Sequence, residues 1–215
     1  MSLRNRSRLS AELLQPVLFD PVAIRKPDLL FPDIPPDSPL ELEVGFGKGL
    51  HLVNEGSARP YSRFLGIEIE KKYVLVAATA VVRKNLSNVR VAIGDAAFCV
   101  ANLIPSGCLD AFHVYFPDPW WKKRHHKRRL VNRVFIENAV RLLKTDGRLH
   151  FATDVHAYYQ ESLALLINLP DVEILHPKER QNPSHDMDYL THFERKARLL
   201  GKPIFRWDLR KLNGS

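Results

Sequence analysis

Cysteine is scarce in this 215-residue chain, which has two, Cys99 and Cys108. They make neither a disulfide framework nor a zinc pattern, and reduced thiols in the cytoplasm are the expectation. No apolar run approaches the ~18–20 residues of a membrane span. The opening residues, MSLRNRSRLS, hold no apolar signal core, so no membrane partner is expected. No self-similarity at a period of about 20–50 residues points to a repeat array. His125 and His126 have no Cys, Asp or Glu beside them in their run, and His185, Asp186 and Asp188 read as a loop before Thr191. No metal is expected from either group. What remains is ordinary globular composition, 45% hydrophobic and 26% charged, in a length that suits one domain. Monomer and homodimer both remain open.

Charge is present in excess but in one place. The net charge is +8, yet residues 27–121 hold eight basic against eleven acidic residues. The eight residues from Lys122 to Arg129 hold six basic residues and no acid. Such a run suits a polyanionic partner.

Proline divides the chain. Seven of the fifteen prolines fall in the first 39 residues, too many for helix or central strand. Residues 1–39 therefore read as an extended arm that can pack on the core but is not part of its sheet, with Arg4, Arg6 and Arg8 as candidate phosphate contacts. Residues 40–215 read as a single domain. Strands are expected at 40–45, 64–69, 89–95, 109–116, 148–154, 172–175 and 204–209. Helices are expected at 50–58, 71–84, 96–103, 129–144 and 157–168, the fourth stopped by Gly147. Strands alternating with helices imply an α/β fold with a mostly parallel sheet covered on both faces.

The first strand runs into Glu43-Val44-Gly45-Phe46-Gly47-Lys48-Gly49. Glycines allow a tight turn and close approach of a ligand, and in a doubly wound sheet the ligand lies at this turn. Leu50 stands where a dinucleotide fingerprint needs a small residue, which disfavours NAD. Glu68 closes the second strand 21 residues after Gly47, a spacing that suits a carboxylate on ribose hydroxyls. Asp95 closes the third strand and could receive an adenine amino hydrogen. Glu43 could face a cationic group. Three carboxylates around one turn disfavour a phosphate-rich cofactor and suit S-adenosylmethionine, with its sulfonium and ammonium.

The fourth strand ends Phe116-Pro117-Asp118-Pro119-Trp120-Trp121. Prolines on both sides stiffen the backbone around Asp118, and the tryptophans offer faces for stacking a base. Lys122, Lys123, Arg124, Lys127, Arg128 and Arg129 follow at once, a pattern that suits nucleic acid. A protein or small-molecule methyltransferase would need no such surface, and a bare RNA-binding module would not need the four acids.

These segments together resemble the bacterial tRNA (guanine-N7-)-methyltransferases, the TrmB family. The resemblance rests on EVGFGKG (43–49), FLGIEI (64–69), Asp95 and above all FPDPWWKKRHHKRRL (116–130). It continues through FATD (151–154) and THFERKARLLG (191–201). It implies a Rossmann-like class I S-adenosylmethionine-dependent methyltransferase fold with a seven-stranded sheet. It implies methylation of N7 of a guanine in the tRNA variable loop, at position 46 of tRNA. It further implies cofactor contacts from Glu43, Gly45, Gly47, Glu68, Asp95 and Asp118, with Asp118 catalytic. Lys122, Asp154 and the TxFE element (Thr191, Phe193, Glu194) would meet the substrate.

Overall fold

Short apolar segments separated by helices form parallel strands here, because each crossover returns the chain to the same end of the sheet. A computed structural model describes residues 9–175 and 190–213. Arg4, Arg6, Arg8, His185, Asp186 and Asp188 lie outside the described residues. The strands are β1 (Leu40–Val44), β2 (Arg63–Glu68), β3 (Val89–Ile93), β4 (Leu109–Tyr115), β5 (Leu143–Thr153), β6 (Val172–Leu175) and β7 (Phe205–Lys211). They form one sheet in the order β3-β2-β1-β4-β5-β7-β6. β1 to β5 are parallel, and β7 runs antiparallel to its neighbours β5 and β6. This is the Rossmann-like, mostly parallel sheet expected. The order reverses between β1 and β4, so the ligand crevice belongs at their carboxyl ends.

Alternation along each strand sorts the two faces. Leu42, Leu65, Ile67, Phe112 and Phe151 pack into one core. That core lies beneath α4 (Ala96–Asn102), α5 (Arg133–Leu142) and α6 (His156–Leu166). Phe64, Val89 and Val91 pack into a second core. Over it lie α1 (Ala11–Leu14), α2 (Leu50–Ala58) and α3 (Lys71–Arg83). α7 (His192–Leu199) precedes β7. On the α2 side, one row of the sheet is ionisable across four strands: Glu43 pairs with His113, His113 with His150, and His150 with Asp208.

α1 and α7 have no counterpart in the sequence expectation, and two further elements differ from it in their bounds. The helix expected at 129–144 begins only at Arg133, where Asn132 caps it by accepting from the Phe135 N–H. β5 begins five residues early, at Leu143, so Gly147 lies inside the strand rather than stopping the helix. The ladder slips there: Leu109 pairs with Leu143, but Ala111 pairs with Arg148. Asp146 takes a left-handed backbone (φ 61°), and a Cβ on Gly147 would stand 2.9 Å from the Lys144 carbonyl oxygen. Only glycine fits so close to backbone, so the extra residues loop out and the strand resumes.

The proline-rich segment is neither extended throughout nor off the sheet, as the sequence reading had it: it holds α1 and two 3₁₀ turns, Pro21–Arg25 and Pro27–Leu30, and it reaches both cores and the β3 edge. Leu14, Val17, Ile24 and Phe31 are buried, and Leu18 makes a single parallel bridge to Val91 of β3.

Candidate active site

β1 must turn into α2 within five residues. Gly45, Gly47 and Gly49 do this with left-handed backbone (φ 67°, 54° and 73°), a conformation that a Cβ opposes. At Gly49 an added Cβ would also stand 2.6 Å from the Cβ of Ala77. Glu68 holds the turn from β2: its carboxylate accepts from the Gly47 N–H at 2.9 Å and the Glu70 N–H at 3.0 Å. Asp95 caps α4, accepting from the Phe98 N–H at 3.1 Å, while remaining exposed.

β4 ends beside this turn. The Phe116 N–H donates to the Ala152 carbonyl at 2.7 Å, which ties the strand end to β5. Phe116 and Trp120 are left-handed (φ 52° and 46°). Aromatic residues rarely adopt that region, and such strain clusters at functional sites. Exposed Asp118 lies midway between them. Gly45, Gly47, Glu68, Asp95, Asp118 and Trp120 share the wall of a cleft of about 370 Å³. An adjoining cavity of about 250 Å³ adds Glu43, Lys48, Thr191 and Lys196 to Gly45 and Gly47. The structure thus brings all six expected cofactor residues to one crevice.

The basic run forms a 3₁₀ turn at Lys123–Arg128. Lys122, Arg124 and Lys127 are exposed. The Arg128 guanidinium sits 5.1 Å from the centre of the Trp120 ring and lines the cleft. Arg129 corrects the sequence reading, because it is buried rather than offered to RNA. Its Nε donates to the Pro119 carbonyl at 2.7 Å, its Nη1 pairs with Glu161, and it lies 4.8 Å over the Tyr158 ring. The inward arginine meets α6 and fastens the proline that follows Asp118.

α7 approaches from the far side. Thr191 caps it, accepting from the Glu194 N–H at 3.0 Å, and Glu194 accepts from the Leu190 N–H at 2.8 Å. The first bond is the cap that T-x-x-E signals, while the return bond lands one residue early, on Leu190 rather than on Thr191. Phe193 stacks on Phe116 (6.3 Å, 19°), and its ring edge would be 3.7 Å from a Cβ on Gly47. One side chain thereby joins the glycine turn, the Asp118 loop and the TxFE element. Glu194 itself is turned inward, 1% exposed. It holds Arg198 at 3.0 Å and Arg206 at 2.6 Å. That carboxylate is occupied within the protein, so its expected contact with substrate is replaced by a structural one. Asp154 pairs with Lys202 at 3.2 Å and is absent from the walls of both cavities.

Glu43 is the electrostatic outlier. It is 2% exposed, and its Oε2 has no hydrogen-bond partner. Burial, then the nearby charges of Glu68 and Glu55, push its carboxyl up to about 8. Sequence reasoning passed over a polar group beside it. His51 and His113 lie with ring centres 4.6 Å apart, and His113 and His150 stack at 5.0 Å. Glu41, His51, His113, His150 and Asp208 line a third cavity, of about 370 Å³. Its signal in the sequence was ionisable residues at alternate positions of core strands.

The comparisons with known proteins bear on this crevice. A family model described as "Putative methyltransferase" matches residues 37–207. The tRNA (guanine-N(7)-)-methyltransferase of Rhodopirellula baltica is 43% identical over 181 residues, covering 81% of this chain and 67% of that protein. The chain belongs to the tRNA (guanine-N7-)-methyltransferase family. A second member, from Serratia proteamaculans, is 38% identical over 173 residues, 80% of this chain and 72% of its own. Likeness of fold extends beyond the tRNA (guanine-N7-)-methyltransferases. TrmN from Thermus thermophilus superposes with a TM-score of 0.58 at 18% identity, covering 90% of this chain and 49% of that one. An S-adenosylmethionine-dependent O-methyltransferase from Thermotoga maritima gives 0.56 at 15%, covering 87% and 63%.

Proposed function

We propose that this chain transfers a methyl group from S-adenosylmethionine to N7 of a guanine in tRNA, at position 46 of the variable loop. The observation that carries the reading is convergence. Glu43, Glu68, Asp95 and Asp118 meet at one crevice, and a basic run with exposed Lys122, Arg124, Lys127 and Arg128 begins four residues after Asp118. The residues present fit the cofactor: Glu43 has a buried oxygen without a partner, and carboxylates suit a ligand with two cationic centres. Glu43, Gly45, Gly47, Glu68 and Asp95 would hold it, with Asp118 at the boundary to the base. S-adenosylmethionine supplies an electrophilic methyl group on a sulfonium.

Guanine N7 has a lone pair and no proton, so no general base is needed to free the nucleophile. The protein's task is alignment, worth roughly 7–11 kcal/mol in favourable cases. Asp118 can accept from guanine N1–H and the N2 amino group. Its fixed charge also favours the positive charge that develops on the purine. The Trp120 ring offers a stacking surface, and Lys122, Arg124, Lys127 and Arg128 offer charge to the phosphates. Exposing a base held in tertiary pairing costs a few kcal/mol, which these contacts would offset. Phe193 and Thr191 close the substrate side.

A tRNA substrate and two free thiols support a cytoplasmic protein, as a monomer or homodimer. Among the described residues no helix is long and apolar enough to cross a membrane. The deciding experiment incubates the protein with S-adenosylmethionine and unmodified tRNA, then maps the digested RNA by mass. New 7-methylguanosine at the variable-loop position is expected. Its absence overturns the reading.

A further inference from the structure

Asp118 has to be held from its backbone. Among the described residues no hydrogen bond reaches its exposed carboxylate. The left-handed residues on either side of it, Phe116 and Trp120, persist only with outside support. That support comes from one unit of the fold. The Phe116 N–H is fastened to the Ala152 carbonyl of β5. Nε of Arg129 reaches back ten residues to the Pro119 carbonyl. Arg129 is itself fastened to Glu161 of α6, the helix that follows β5.

Each nitrogen of this guanidinium has a place. Nε donates to Pro119, Nη1 pairs with Glu161, and Nη2 lies 3.1 Å from His126 Nε2. Arginine can only donate, so His126 accepts at Nε2 and turns Nδ1 toward Glu161, 4.0 Å away. Below the guanidinium, the Tyr158 hydroxyl accepts from the Val131 N–H at 3.1 Å. α6 is a firm anchor, because its fully buried Ser162 accepts from Trp207 Nε1 of β7 at 2.9 Å. A planar fork of donors spans these partners together, and a lysine ammonium would not.

The rest of the basic run is placed differently. Lys122, Arg124, Lys127 and Arg128 are exposed, and Arg128 rests on the Trp120 ring. An arginine whose donors are committed to Pro119, Glu161 and His126 adds little to phosphate capture. It does fix the residue that follows Asp118. This reaction depends on alignment, and a displacement of about 1 Å can cost roughly a hundredfold in rate. We propose that Arg129 is a positioning residue for methyl transfer, which with Glu161 of α6 holds the Pro119 carbonyl, and through it Asp118, in place against the base. This rests on the reading above that Asp118 meets the guanine.

The test is single-turnover methylation of tRNA by the full chain, with tRNA and S-adenosylmethionine both saturating. Arg129→Lys keeps the charge and loses the fork. Its rate per folded molecule is expected to fall about tenfold, with affinities for S-adenosylhomocysteine and tRNA within about twofold. Glu161→Gln alters the exposed end of the pair, so it serves even if Arg129→Lys folds poorly. A smaller loss in the same direction is expected from it. The decisive readout is the Asp118→Asn background. Both losses should shrink there to less than about twofold, because no carboxylate is left to place. A residue that merely supports the fold would lower the melting temperature and leave the rate per folded molecule alone. Unchanged rates in both variants, or losses of equal size with and without the Asp118 carboxylate, overturn the positioning role. So does a rate loss that follows weaker tRNA binding. A wild type that forms no 7-methylguanosine overturns the reading of the site itself, and this role with it.

Discussion

Among single residues, Glu43 couples binding to protons. Its carboxyl is raised from 4.5 to about 8, so near neutral pH the folded chain without ligand keeps it protonated while the unfolded chain does not. A raised carboxyl adds stability that is complete below pH 4.5 and lost as pH rises through about 8. Glu43→Gln should match the wild type in acid and melt several degrees higher above pH 8, as thermal scans at both ends of the range will show. A cationic ligand needs the ionised form, so wild-type affinity for S-adenosylmethionine should rise toward pH 8 and release a proton. In Glu43→Gln the affinity should be weaker and flat with pH. Asp118 makes a different prediction, because its place is at the reacting base. Asp118→Asn should lower single-turnover methylation roughly a hundredfold or more, with cofactor affinity within about tenfold. Unchanged turnover would remove Asp118 from the chemistry. Glu43, Glu68, Asp95 and Asp118 could be picked out in the sequence because each stands at a strand end. Which basic residue turns inward could not, since Arg128 and Arg129 are neighbours in one run and differ only in what α6 presents to them.

At the scale of elements, α7 is held by one buried carboxylate. Glu194 joins the Leu190 N–H, Arg198 and Arg206, and Phe193 beside it reaches the glycine turn and Phe116. Removing one partner from a buried ionic group costs about 3–5 kcal/mol. Glu194→Gln should lower stability to urea by about that amount and speed hydrogen exchange in residues 192–199. If exchange there stays slow, α7 is held by something other than this network. The strands of the core could be read from sequence because apolar residues alternate or run together between turn residues. α7 could not be read from hydrophobic period, because only Phe193, Ala197 and Leu199 of its eight residues are apolar. Its start signal, Thr191 with Glu194, is visible in the sequence, but the same residues also carry the family resemblance that implies a substrate contact. The early start of β5 was hidden for another reason: Gly147 marks a loop-out within the strand, and a glycine looks the same in sequence at either place.

Across the whole molecule, charge is divided by function. Acids gather in the crevice, while exposed Lys122, Arg124 and Lys127 stand on the turn beyond Asp118. Replacing these three by alanine should weaken tRNA binding and lower the slope of log affinity against log salt by up to about 2–3. An unchanged slope would place the tRNA phosphates elsewhere. The sheet that carries this arrangement has two ends. β6 forms one, and β3 forms the other, where Val91 lies beside the proline-rich arm. The Val91 N–H donates to the Val17 carbonyl at 2.9 Å, and its carbonyl accepts from the Phe19 N–H at 3.2 Å. Open strand edges recruit strands from other chains. The arm occupies this edge with backbone of its own and, being rich in proline, passes few free donors outward. The segment thus acts as a stopper that keeps one sheet from seeding another.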